Sequence, residues 1–429
     1  MRNLRRPTGP MWEIVERHFA EAEFMAELWR GAFDQPDMTL AELAGTTEAR
    51  LRAHLEAVRL PGPQVLDRLF WPAVAGPYGS KALVGGLGIL DLGNRTDWAW
   101  LGTTLEDCQA GDERWLGIVE AFALSRRRGF DRWLAGQLDE NAGPRIAGLA
   151  RALARRGAEL DEGLDPLLAS EDPAVLEAAA TLARTGGPAQ LARVAALERH
   201  GDPRVVCAAV ETGLVRGLAG SVDAARHWAF GTSDQGFRRQ ALLWMALVGG
   251  ERDLTTLLAL LDDPEARPDA LWAAGFTGRS EAVVAALPWL DDNAVGPLAG
   301  EAITSIVGLP MRDESLWLGS RPVDDELPAL ADEPTSLEFI PEELLPQPDP
   351  EGIRAWWARN EHRFNRETIY LAGSVLDGES LRRGLLEQPL RRRHTLALLA
   401  QLLTAGAASL ASRSWARVQL EAIGRLRLP

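Results

Sequence analysis

The stretch EDPAVLEAAATLARTGGPAQLARVAALERHGDPRVVCAAV, residues 171–210, decides the fold. Asp172-Pro173 and Asp202-Pro203 stand thirty residues apart. An Asp at a helix N-cap accepts a free backbone N–H, and a proline at the first helical position gives up a donor that had no partner there. Each pair therefore predicts a helix start. Val175, Leu176, Ala179, Ala180, Leu182 and Ala183 follow the first pair at helical spacing, up to a break at Gly186-Gly187-Pro188. Leu191, Val194, Ala195 and Leu197 form a second apolar run before Gly201 begins the cycle again.

The same residues invite a chemical reading. His200 and Cys207 are seven residues apart, two helical turns, a spacing at which they could share a face and hold a metal or a reactive thiolate. Gly201 interrupts the chain between them, however, and a zinc site needs three or four converging ligands. Cys207 falls with Val206 and Val210 on the apolar side, where a free cysteine behaves as a small hydrophobe. The stretch is predicted to be a seam between two structural units.

Working outward, the beat continues. Gly111-Asp112-Glu113, Gly143-Pro144, Ser233-Asp234, Asp263-Pro264 and Asp292-Asn293 extend the series, with successive spacings of 29 to 32 residues. Apolar residues follow each start, among them Phe237, Ala241, Leu242, Trp244 and Met245, or Ala270, Leu271, Ala274 and Phe276. Two short helices per thirty residues predict an all-α chain, an α-solenoid of HEAT-like helix pairs over residues 111–309 wound as a right-handed superhelix. A unit this short cannot bury its apolar face alone, so neighbours must stack and the ends need caps. Residues 1–110 are expected to supply an N-terminal helical cap and atypical first repeats, with Thr39 opening one helix through TLAELAGTTEARLRAHLEAVRL (39–60). No alternating strand pattern is visible anywhere.

The rhythm stops at Pro310. Residues 310–350 hold eight prolines, eleven Asp or Glu and two Arg, a composition that breaks helical pairs. Trp317, Leu318, Phe339, Ile340 and Leu345 nevertheless lie in this acidic strip. It reads as an extended segment packed on the array, with a free linker or a segment ordered by a partner as alternatives. Residues 351–429 form a separate helical block carrying a net charge of +6, against −21 for residues 1–350. That basic block either docks on the acidic parts of its own chain or faces an acidic partner. Arg391, Arg392 and Arg393, with Trp356 and Trp357, are the candidate partner contacts. Adjacent tryptophans on a helix cannot share one face, so one is expected to pack inward and the other to reach the strip or a partner.

Composition narrows the function classes. A formal charge of −15 argues against a nucleic-acid binder, which needs clustered Lys and Arg. Lys81 is the sole lysine, a bias that a GC-rich genome explains. The longest apolar runs, such as 82–90 and 241–250, fall short of the roughly 20 residues of a membrane helix. The N-terminus has Glu13 and Glu16 where a signal peptide needs an apolar core, and two cysteines suit a reducing compartment. The expected location is the cytoplasm.

Motifs of chemistry are missing: no HExxH, CxxC, GxSxG or GxxxxGK[ST] occurs. Gly76-Pro77-Tyr78-Gly79-Ser80-Lys81 imitates a phosphate loop but reads as a turn before a helix, and Gly85-Gly86-Leu87-Gly88 reads as helix packing. The six histidines are scattered, and Asp262-Asp263 and Asp291-Asp292 sit at unit boundaries as caps. No catalytic residue, cofactor or metal site is predicted.

The thirty-residue beat resembles the short bacterial repeats of phycobilin lyases, though no bilin-binding cleft is identifiable. Segments 39–60 and YLAGSVLDGESLRRGLLEQPLRRRHTLALLAQLL (370–403) are similar to an uncharacterised proteobacterial family of HEAT-repeat proteins, many encoded near type VI secretion genes. Gln388-Pro389 departs from the glycine that the family tends to show before its basic run. The resemblance implies a non-enzymatic protein-binding scaffold, an adaptor or chaperone for secretion spike or effector proteins. Its partner would lie on the concave array surface or the basic C-terminal block, with no nucleic acid and no membrane involved. An enzyme on a HEAT-like frame, of lyase or DNA-base glycosylase type, and a structural subunit of a larger complex are the competing readings.

Overall fold

A computed structural model describes residues 9–138, 143–160, 163–231, 235–318 and 341–429. The chain is all-α: helices dominate, and the strands of the described residues are the two-residue pair Tyr370–Leu371 and Ser374–Val375, a small antiparallel hairpin the sequence did not announce. No described helix is long and apolar enough to cross a membrane. Packing divides the chain into two units. One draws on Met1–Phe33, Met38–Ser221 and Thr404–Leu426, and the other on Asp34–Asp37, Val222–Leu403 and Arg427–Pro429.

In the first unit, the helices Gly79–Leu92, Glu113–Leu124, Pro144–Arg156, Pro173–Leu182 and Pro203–Arg216 pack each on the next. Shorter helices stand between them, including Phe130–Ala135, Leu164–Leu168 and Pro188–Leu197. Small residues permit the closest approach. A Cβ on Gly117 would lie 2.2 Å from the Gly79 carbonyl oxygen, and one on Gly86 would lie 2.7 Å from the Ala121 Cβ. Gly85 and Gly88 likewise meet the Phe70 backbone and ring, so this glycine run is a packing surface.

Local capping follows the sequence closely at several starts. Asp112, Asp172 and Asp202 are N-caps whose carboxylates accept backbone N–H groups, and Pro144, Pro173 and Pro203 open their helices. Later starts shift. Ser233-Asp234 lies outside the described residues, and Asp263 and Asp292 cap a turn that precedes the helix by three residues. The helices begin at Arg267 and Gly296 because Pro268 and Pro297 occupy their first turns. The expected single helix over 39–60 is two, Leu40–Gly45 and Thr47–Arg59. Thr39 forms a capping box with Glu42, and the Thr46 hydroxyl donates to the Glu42 carbonyl at 2.6 Å, ending the first helix.

Arginine has a structural task that composition does not reveal. Arg156 Nη1 donates to the carbonyls of Phe122, Ala123 and Ser125 at 3.1, 3.0 and 2.6 Å, satisfying the end of the preceding helix of the row. Arg216 treats Arg184 and Gly186 in the same way, and Arg127 reaches the Leu90 carbonyl at 2.8 Å. A planar fork of five donors can serve several carbonyls at once, which a lysine ammonium does with far less geometric control. Residues 404–426 then run along this row. Gly406 lies beside Val215 and Ser409 beside Gly157, and Trp415 Nε1 donates to the Leu124 carbonyl at 3.0 Å.

The second unit repeats the arrangement with Gln235–Val248, Arg267–Ala274 and Gly296–Val307 packed in succession. The hairpin docks on the last of these through Ala372 and Gly373, whose N–H groups donate to Ser305 and Ile306 at 2.8 Å. The two described ends of the acidic strip also pack there. Leu318 donates to Gln347 at 2.9 Å and Asp349 to Leu316 at 2.8 Å, while Trp317 and Pro348 cover Gly300. Residues 319–340 of the strip lie outside the described residues.

Candidate functional site

The basic run of the C-terminal block does not form a surface. Arg391, Arg392 and Arg393 open the helix Leu390–Leu403 and are all buried, Arg393 completely. Arg391 and Arg239 both donate to one oxygen of Glu342, at 2.8 and 2.6 Å. The Glu301 carboxylate, whose oxygens are buried, sits 3.6 Å from Arg391 and 3.7 Å from Arg392. Arg392 also donates to the Gly275 carbonyl at 2.9 Å, and Arg393 to the Leu385 carbonyl at 2.6 Å. The Trp272 ring faces the guanidiniums of Arg391, Arg239 and Arg392 at 4.3, 5.0 and 5.2 Å. Desolvation pulls Arg392 and Arg393 down to about 10, which leaves both charged at neutral pH. These arginines are therefore interior ties of the second unit, joining its C-terminal helix to the ends of earlier ones. Three consecutive helical residues point in three directions, so all can be buried only where the helix is surrounded on every side.

Of the tryptophan pair, one packs inward as expected, which removes Trp357 as a partner contact. Trp357 is buried and stacks on Phe364 with centroids 5.6 Å apart, and the part-exposed Trp356 meets the same ring at 6.4 Å. Phe364 lies just beyond the helix Pro350–Asn360, where the chain turns back to serve both indoles. The opening seam keeps its structural reading. His200 Nδ1 accepts the Asp202 N–H at 3.0 Å, while the Cys207 thiol, pushed well up by desolvation, stays protonated at neutral pH. Among the described residues, no group of three or more His, Cys, Asp or Glu could hold a metal ion.

A cleft of about 460 Å³ in the second unit is the better candidate. Its floor is Met245, Leu254, Leu257 and Leu258, with Ile369 at one edge and Arg279, Arg366, Glu251 and Glu281 among its polar groups. The break at Gly249-Gly250 creates the space. A Cβ on Gly249 would lie 2.4 Å from the Met245 carbonyl oxygen and 2.8 Å from the Asp253 Cβ, so only glycine lets the chain reverse there. The opposite wall depends on Gly278, whose φ of +66° and close approach to Ile369 and Tyr370 exclude a side chain. Arg279 fastens that wall, donating from Nη1 to the Arg366 carbonyl at 3.0 Å. An apolar floor bordered by two guanidiniums and two carboxylates suits a peptide-like ligand, with an apolar side chain below and polar backbone or charged groups above. Sequence reading missed this site because its residues come from three separated stretches. The Gly249-Gly250 break was the one local signal.

No protein-family model matches the chain, and no curated protein matches it in sequence.

Proposed function

We propose that this chain is a non-enzymatic protein-binding scaffold of stacked HEAT-like helix pairs, belonging with the repeat family encoded near type VI secretion genes. On this reading residues 1–110 are the cap, 111–309 the array, 310–350 an acidic strip and 351–429 a C-terminal helical block, and the protein works in the cytoplasm. Its clients are secretion spike or effector proteins, for which it acts as adaptor or chaperone. The observation that carries the reading is the cleft at Met245, Leu254, Leu257 and Leu258, with charges of both signs at its edge. A groove held by helices on one side and a tied loop on the other can receive a partner segment with little reorganisation, which lowers the entropy cost of binding.

Affinity purification of the full chain from its native host, followed by mass spectrometry, tests the proposal against Leu258→Arg as matched control. Recovery of spike or effector proteins with the wild type and their loss with Leu258→Arg is the expected result. Equal recovery by both proteins removes the cleft from the reading. Absence of secretion components from the wild-type sample under mild conditions overturns the adaptor role.

A further inference from the structure

We propose that His18 and His54 form an acid-sensitive tie between the helices Trp12–Ala32 and Thr47–Arg59 of the first unit, closed at neutral pH and opened when the pair takes up a second proton. These two helices pack on each other. His18 meets His54 near one end and Trp29 meets Glu48 near the other, so they run antiparallel. The seam between them is apolar, with Val15, Ala22 and Met25 buried on one side and Leu51, Leu55 and Val58 on the other. Both histidines are half-buried at its margin. Their Nδ1 atoms stand 3.0 Å apart and their ring centroids 5.2 Å apart.

At that distance one Nδ1 carries the hydrogen and donates, and the other accepts with its lone pair. A first added proton enters at Nε2 of the donating ring and leaves the bond intact. A second has only the accepting Nδ1, where N–H would face N–H and two imidazolium charges would share the seam. The neighbouring charges do not relieve this. Besides His18, the groups that act on His54 are Glu21, three residues beyond His18, and Arg50, four before His54; both are exposed and they oppose each other. Charged groups on the elements packed around the pair are engaged elsewhere: Arg68 with Glu16 at 2.7 Å, Lys81 with Glu23 at 3.6 Å, Asp91 with Arg59, and Glu42 with Thr39. Burial, then the His18 and Arg50 charges, hold the His54 imidazole below its ordinary value against the pull of Glu21. The unfolded chain takes both protons near about pH 6.5, whereas the folded pair takes the second only at lower pH. The stabilisation is therefore fully present above that value and is lost as pH falls through it. Opening leaves the two helices resting on their apolar seam and on the Trp29–Glu48 bond. The inference concerns the first unit and does not depend on the cleft of the second.

An NMR titration of the full chain, with the histidine rings isotope-labelled, tests it. Two of the six histidines are expected to titrate as a coupled pair, the second step roughly one pH unit or more below the ordinary value near 6.5. His18→Asn keeps a hydrogen-bonding amide beside His54 without a second titrating ring, and is expected to move the remaining His54 step up toward the ordinary value. Urea unfolding gives a second reading. Between about pH 7.5 and about pH 5.5 the unfolding equilibrium constant of the wild type is expected to rise about fivefold more than that of His18→Asn or His54→Asn. Wild-type histidines that all titrate in single steps at or above the ordinary value overturn the proposal, and that measurement requires no variant to fold. Equal pH dependence of unfolding in the wild type and both variants, or a His54 step that His18→Asn does not move, overturns it as well.

Discussion

Glu48 caps a helix that begins 368 residues further along the chain. Its carboxylate accepts the backbone N–H groups of Ala416 and Arg417, the latter at 3.1 Å, at the first turn of the helix Ala416–Ile423. The same side chain takes the Trp29 indole N–H at 3.1 Å and is completely buried. By sequence Glu48 belongs to the polar positions of its own helix, whereas the structure makes it the anchor of the C-terminal run. Glu48→Ala leaves two buried donors, the Trp29 indole and the Ala416 N–H, without an acceptor, besides the more exposed Arg417 N–H, and is expected to cost about 3 kcal/mol. Glu48→Gln keeps one accepting oxygen and should cost about half as much, both read from urea unfolding midpoints.

Arg392 and Glu301 form a second long-range dependency. Arg392→Met removes one of the two guanidiniums beside Glu301, leaving Arg391 at 3.6 Å, and frees the Gly275 carbonyl, an expected loss of about 2 kcal/mol. The double variant Arg392→Met/Glu301→Leu should recover part of that loss, since it also removes the carboxylate left with a single guanidinium, while Arg391 keeps its bond to Glu342. A double-mutant cycle measured by denaturant unfolding reads the coupling directly.

Buried Glu198 accepts a hydrogen bond from the Ser221 hydroxyl, yet desolvation raises its pKa. A carboxyl whose folded pKa exceeds its unfolded value binds its proton more tightly in the native state. Its contribution is fully present below the unfolded pKa, near 4.3, and is lost as pH rises through the raised folded value. Glu198→Gln is therefore expected to match or exceed wild-type stability at pH 7 and to lose that advantage at pH 4. Unfolding midpoints across that interval check the crossover.

Asp202 carries the opposite sign. Its hydrogen bond from the Arg204 side chain, with the Arg204 N–H at 2.9 Å, lowers its pKa. The stabilisation is present above the unfolded value, near 3.9, and disappears as pH falls through the depressed folded one. Asp202→Ala should cost about 1 kcal/mol at pH 7, the usual worth of an N-cap, and much less at pH 2.5. Equal losses at both values would show that the cap does not depend on its charge.

Helix starts at Asp112, Asp172 and Asp202 were legible because a cap is local chemistry, complete within three residues. Apolar spacing along the same helices was legible for the same reason, and Cys207 took its place among valines as its neighbours required. The later starts were displaced by a turn, since Pro268 and Pro297 compete with Asp263 and Asp292 for the first position. The cleft was almost invisible, since Met245, Leu258, Arg279 and Ile369 meet only after two helix reversals.

By itself, then, the sequence determined an all-helical chain, the position of several of its helix ends, and the absence of familiar catalytic motifs. Tertiary structure decided which charges are interior. Arg391, Arg392 and Arg393 read as contacts either to acidic parts of the same chain or to a partner, and Glu48 as one of the polar positions of its helix, because charged side chains are buried only when a partner stands opposite. Those partners, Glu301, Glu342 and the free N–H groups of Ala416 and Arg417, lie tens to hundreds of residues away. A residue's hydrogen-bonding capacity is written in its type, but whether it is spent on water or on another helix end depends on what the folded chain brings within about 3 Å.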